Sequence, residues 1–171
     1  GMAGIDAAIP AGDVTIRLET AWIAGRYFEP KDMLSSLPIP QLLDGTSGAD
    51  VQLEFNTSVK KHQLLMLAGI DWIKSSWTLS GQYFEDLILN HEDDIERPLH
   101  KGFVSLNVSK TFLRDTLKLS ASGVIDINYG STFSTYSVGY AITDNISFAL
   151  GSDVYTKGHD GKGDFAPLHK I

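Results

Sequence analysis

The residues best able to do chemistry in this chain are scattered rather than convergent. Arg17, Glu19, Asp71, Gln82, Lys118, Asp126 and Asp153 all stand where an alternating pattern puts polar side chains. They are the candidates for contacting a solute. No two of them are spaced as a catalytic acid and base. The five histidines, His62, His91, His100, His159 and His169, lack the helical spacing of a zinc motif. Turns and solvated surface are their expected places. The run His91-Glu-Asp-Asp-Ile-Glu96 holds enough oxygens for a hard cation, but it lacks the glycine and distant glutamate of a calcium loop. A solvated loop is the plainer reading. In an outer membrane, such a loop could bridge lipopolysaccharide through divalent ions. Gly158-His-Asp-Gly-Lys-Gly163 has the wrong spacing for a phosphate loop, and Gly163 stands where the hydroxyl should be. The triplets at Asn56, Asn107 and Asn145 match the glycosylation pattern, which is common by chance. There is no cysteine, hence no disulfide, thiolate ligand or thiol nucleophile. Gly-x-Ser-x-Gly is absent as well. These features predict a protein that is not an enzyme and needs no metal or cofactor.

The elements that must position these residues are strands. In 117–128, Leu117, Leu119, Ala121, Ile125 and Ile127 alternate with Lys118, Ser120, Ser122, Val124, Asp126 and Asn128. Period two means a strand with one apolar face. The same pattern predicts strands over 14–24, 49–57, 63–73, 77–89, 101–112, 116–128, 132–142 and 146–156. Within 64–72 both faces are apolar except at Asp71, so the register there stays open. Residues 26–48 read as a long loop with at most one helical turn near 32–43, where Pro38 and Pro40 interrupt any helix. Residues 1–13 and 157–171 read as flexible ends of a single domain spanning 1–171.

The polar faces are unusual. They are built mostly from Ser, Gly, Ala, Thr and Asn, whereas the wet face of a soluble sheet usually carries Lys, Glu and Arg. Small polar residues suit a crowded, hydrated interior. Turns at 74–76, 114–115 and 143–145 are short, and the connections between them are longer. That is the sidedness of an outer-membrane meander. Upstream of Lys74 this parity holds only if 49–57 belongs to an outer hairpin; otherwise the chain is a plain eight-strand meander. Aromatic residues sit near strand ends, as an interfacial girdle or as caps on a soluble core. The expected fold is all-β, an antiparallel meander closing into an up-and-down β-barrel of about eight strands.

Composition bounds the partners. Apolar residues make up 43% of the 171, too many for disorder, and charged residues only 20%. A net charge of −7 argues against nucleic acid. No apolar run is long enough for a membrane helix, which leaves membrane strands open. The opening residues 1–10 show no secretory signal, and Gly1 before Met2 resembles a tag-cleavage scar.

Three stretches carry a resemblance. Trp77-Thr-Leu-Ser-Gly-Gln-Tyr-Phe84, Val108-Ser-Lys-Thr-Phe-Leu-Arg-Asp-Thr-Leu117 and Tyr140-Ala-Ile-Thr-Asp-Asn-Ile-Ser-Phe-Ala-Leu-Gly-Ser-Asp153 resemble proteobacterial outer-membrane β-barrel proteins with a conserved domain of unknown role. The resemblance covers 77–165, about half the chain. It implies a bacterial outer-membrane location, the lipid bilayer as partner, and a porin-like wall through which a small solute passes or to which it binds. Family members are longer, and this chain stops at Leu168-His-Lys-Ile171 without a terminal aromatic strand. Both departures suggest a C-terminal fragment with exposed sheet edges, closing by itself or with a second copy. The alternative is a soluble lipocalin-like barrel, periplasmic or cytoplasmic, with its faces inverted and a hydrophobic small molecule inside. Its interior candidates are Trp22, Phe55, Trp72, Tyr83, Phe103, Tyr140 and Phe148.

Overall fold

The computed structural model describes residues 1–31, 58–143 and 145–170. Among the described residues, eight antiparallel strands form one sheet in chain order. They are β1 (Met2–Ala11), β2 (Val14–Phe28), β3 (Val59–Lys74), β4 (Trp77–Leu89), β5 (His100–Phe112), β6 (Leu117–Asp126), β7 (Thr132–Thr143) and β8 (Ile146–Thr156). Among these residues every strand pairs only with its chain neighbours, so β1 and β8 are open edges and the sheet is not closed into a barrel. Two short 3₁₀ turns, His159–Gly161 and Ala166–Lys170, follow β8.

Among the described residues from Val14 onward, each stretch expected to be a strand from its alternation overlaps one of β2 to β8. The expected strands over 77–89 and 146–156 match β4 and β8 at both ends. The ends were a different matter. Residues 1–13 were expected to be flexible, yet Met2–Ala11 forms β1, paired residue for residue with Val14–Ile23. Ile5, Ala7 and Ile9 do alternate there, but Pro10 and the small residues mask the period. A proline is tolerated because β1 is an edge strand. Similarly, 157–171 was expected to be flexible, but Gly158–Phe165 folds back onto the sheet through several hydrogen bonds. The expected strand over 49–57 and the helical turn near 32–43 lie outside the described residues. So does Phe55, one of the candidates for a soluble interior.

With β1 in place the turn parity is complete. Gly12-Asp13, Ser75-Ser76 and Leu113–Thr116 are short links at one end, where β7 also ends at Thr143 and β8 begins at Ile146. Residues 90–99 and 127–131 make longer links at the other end, where β2 ends, β3 begins and the tail starts. Positive backbone φ at Gly12 (64°) and Ser75 (54°) closes the first two short turns.

Directly paired residues project from the same face of a sheet. The register therefore defines continuous rows. One runs Val14, Trp72, Leu79, Val108, Ala121, Tyr136 and Ser152 across β2 to β8. The short turns do not lie level with this row. Val14 directly follows its turn, Leu79 lies further along its strand, and Ser152 further still. The stagger is about one residue per strand. With a rise of about 3.3 Å and a strand spacing of about 4.8 Å, turns set at one level require strands tilted by roughly 35°.

Candidate functional site

The rows sort the sheet into two chemically distinct faces. One face holds Ile5, Ile9, Ile16, Leu18, Trp22, Ile70, Leu79, Leu106, Leu119, Val138, Phe148 and Leu150. Most of these large apolar side chains are exposed, Leu106 at 57% and Leu150 at 64%. Among the described residues, charges on this face occur only at its two borders. Lys74 pairs with Asp13 (3.0 Å), and Lys110 lies over the rings of Trp77 (4.4 Å) and Phe112 (4.6 Å), all at the short-turn end. Lys60 over Tyr27, and Glu85 with Tyr83 and His100, mark the other end. Between the borders, the described residues of this face are all uncharged. From Trp77 to Glu85 along β4 is roughly 26 Å, or about 21 Å in height after the tilt.

The second face carries every sequence-predicted site residue. Arg17, Glu19, Asp71, Gln82, Lys118, Asp126 and Asp153 share it by register. Two of them meet. Arg17 Nη2 donates to Asp71 Oδ1 (3.0 Å), Arg17 Nε lies 2.7 Å from the other carboxylate oxygen without a hydrogen bond, and Ser80 Oγ donates to the same carboxylate at 2.5 Å. Gly69 stands opposite both Arg17 and Gln82, so the long side chains lie over a position with no side chain of its own. Glu19 stands across from Asp6 and Leu67, Lys118 across from Thr111 and Gly139, and Asp153 across from Thr135. These three are separated from the Arg17–Asp71 pair rather than gathered with it. Ser120 and Ser137 share a hydrogen bond of 2.6 Å between β6 and β7 on this face.

Asp126 departs from its expected role as a solvated lining residue. It is fully buried. Its carboxylate accepts the N–H of Asn128 (2.9 Å) and of Asp164 (3.3 Å) and the Ser131 hydroxyl (3.4 Å). The returning tail covers it, which alternation within β6 could not foretell.

A second polar cluster was missed. On the same face, beside the longer connections, Arg26 Nη1 donates to Gln63 (2.7 Å), and Gln63 Nε2 donates to Asp86 (2.6 Å). Arg97 pairs with the other Asp86 oxygen. Lys61 holds Glu92 (3.3 Å) and Asp94 (2.9 Å). Two carboxylates of the acidic run are thus committed to a lysine, not displayed for a cation. Phe28, Ile88 and Ile95, the three buried apolar side chains among the described residues, pack beside this cluster. Ile95 reaches them because the 90–99 connection folds over the face, with a bridge between Pro30 and Ile95. The parity of Lys61, Gln63, Asp71, Asp86 and Ile88 signals a shared face, but doubly apolar 64–72 hides it.

Among the histidines, His62 stacks on Trp22 (ring centroids 5.6 Å apart), and His91 Nε2 lies 2.8 Å from the Arg97 carbonyl. No three His, Asp or Glu side chains converge as metal ligands among the described residues. Chemically, the second face can bind and orient by hydrogen bonds and charge.

No family profile matches the chain, and no significant match was found among curated proteins or solved structures.

Proposed function

We propose that this chain forms wall of an outer-membrane β-barrel, its apolar face toward lipid and its small-residue face toward an aqueous lumen that passes or binds a small solute. The observation that carries this reading is the confinement of charge on the apolar face to its two borders. A bilayer tolerates charges at its interfaces and penalises them near its midplane. A band of about 21 Å is close to the roughly 25 Å apolar belt of such barrels, and the roughly 35° tilt lies within their range. Alternating short and long links agree with short periplasmic turns and longer outer loops. Closure, through β1 with β8 or through further strands, would satisfy the edge N–H and C=O groups that lipid cannot.

The inverted alternative places the apolar face inside a soluble barrel around a hydrophobic ligand. A depression of about 420 Å³ beside Ile5, Leu18, Met66 and Tyr83 could serve as its cavity. Against it, both returning segments, the 90–99 connection and the tail, lie on the small-residue face. They leave the apolar side chains bare.

Refolding decides between the two. The lipid reading expects insertion into phospholipid vesicles, with tryptophan fluorescence quenched by brominated acyl chains. A monodisperse protein in plain buffer, unquenched by such vesicles, would contradict it.

A further inference from the structure

On the small-residue face, the tail occupies a slot built from one ion pair, two backbone hydrogen bonds and a ring cluster. The Asp164 carboxylate lies 2.6 Å from Lys101 Nζ. The backbone N–H of Asp164 donates to buried Asp126 (3.3 Å), and that of Phe165 donates to the Ser131 hydroxyl (3.4 Å). The Phe165 ring sits edge-on to Phe103 (6.4 Å, 68°) and tilted against Phe133 (6.1 Å). Asp126 and Ser131 are fully buried, so each depends on the tail or its near neighbours for a partner. Gly163 makes the approach possible. A Cβ there would collide with Ser131, and its φ of 109° is one that L side chains rarely adopt.

We propose that this slot is a binding subsite for an acidic–aromatic dipeptide unit and that Asp164-Phe165 occupies it as a tethered stand-in. The required ligand follows from the four contacts: a carboxylate for Lys101, two successive backbone N–H donors for Asp126 and Ser131, and an aromatic ring for Phe103 and Phe133. A ligand meeting only some of them leaves the Lys101 ammonium without its carboxylate or the Phe103–Phe133 position unfilled, which is where discrimination arises. A tethered occupant competes at an effective concentration of about the millimolar range, so free ligand binds the intact protein weakly. Release of the tail opens the subsite. The proposal rests on the lumen reading for how ligand reaches this face, but binding itself is measurable without any conduction.

The test is calorimetric titration of the full chain, folded in detergent, with N-acetyl-Asp-Phe-amide. Phe165→Ala vacates the aromatic position and is expected to bind the probe at least tenfold more tightly than the unsubstituted chain. N-acetyl-Asn-Phe-amide and N-acetyl-Asp-Ala-amide are expected to bind at least tenfold more weakly to that variant. Adding Lys101→Met is expected to erase the preference for Asp over Asn. Should Phe165→Ala fail to fold, Gly163→Ala displaces the tail by a different route and is expected to give the same ordering. No binding to a tail-displaced variant, equal binding of the three probes, or no gain over the unsubstituted chain would each overturn the proposal. Failure of vesicle insertion with binding intact would instead overturn the membrane reading alone.

Discussion

The Lys110 ammonium lies 4.4 Å from the centre of the Trp77 ring, across the β4–β5 pair and close to the short turns. A lysine on an otherwise apolar face is tolerable there because it can reach the interface while its stem covers the ring. The same row continues through Leu119, Val138 and Leu150, with no further charge. Lys110→Leu should therefore cost little stability in a bilayer, below about 1 kcal/mol, since a border cation gains only a modest cation–π contribution. Urea titration in vesicles, compared with the unsubstituted chain, measures this directly.

Leu106 occupies the middle of the same face and is 57% exposed to whatever covers it. Leu106→Lys should destabilise the vesicle-inserted protein by about 2–4 kcal/mol, the cost of a lysine near the midplane. Its neighbour Ser105, on the small-residue face opposite Gln82 and Val124, gives the control. Ser105→Lys should fall well below that range, because its ammonium stays in water. Equal costs for the two substitutions would contradict the assignment of faces.

Much of this was legible in the sequence, for a physical reason. A strand with one apolar face writes its pairing parity into every second residue, so β4 and β8 were read to the residue. Parity also put Arg17, Asp71 and Lys118 on one face before any register was available. What escaped was whatever depends on segments returning to the sheet. Ile95, Asp164 and Phe165 lie in irregular chain, where no period announces a destination, and Asp126 is covered by the returning residues Gly163 and Asp164. Residues 2–11 escaped because Ala, Gly and Pro give a strand little hydrophobic contrast. The Arg17–Asp71 contact needed the register of β2 on β3, which the doubly apolar run 64–72 withheld.

The Arg17–Asp71 pair is about one-quarter to one-third exposed, and Ser80 completes the carboxylate's bonding. Solvent screening limits what such a pair contributes, while the Ser80 hydroxyl bonded to the same carboxylate helps to hold it in place. A double-mutant cycle with Arg17→Met and Asp71→Asn should return a coupling of about 1 kcal/mol. Adding salt should lower that value. A coupling indistinguishable from zero at low salt would show that the two side chains are held independently.

Ile95 is 2% exposed and Ile88 fully buried, and with Phe28 they pin the 90–99 connection over the small-residue face. Ile95→Ala should loosen that connection without unfolding the sheet, because the strand ladders do not depend on it. The local cost should be about 2 kcal/mol, near the low end for truncating a buried isoleucine at a small satellite cluster. Limited proteolysis should then cut within 90–97 at least tenfold faster than in the unsubstituted chain, the factor that about 1.4 kcal/mol of easier local opening gives. Lys61→Met should have a related effect by a different cause, releasing Glu92 and Asp94 from their ammonium partner. Because two anchors of different chemistry hold one connection, only the Lys61→Met effect should be reproduced in the unsubstituted chain by high salt. Cleavage that stayed slow in both variants would mean that residues 90–97 hold their path without these anchors.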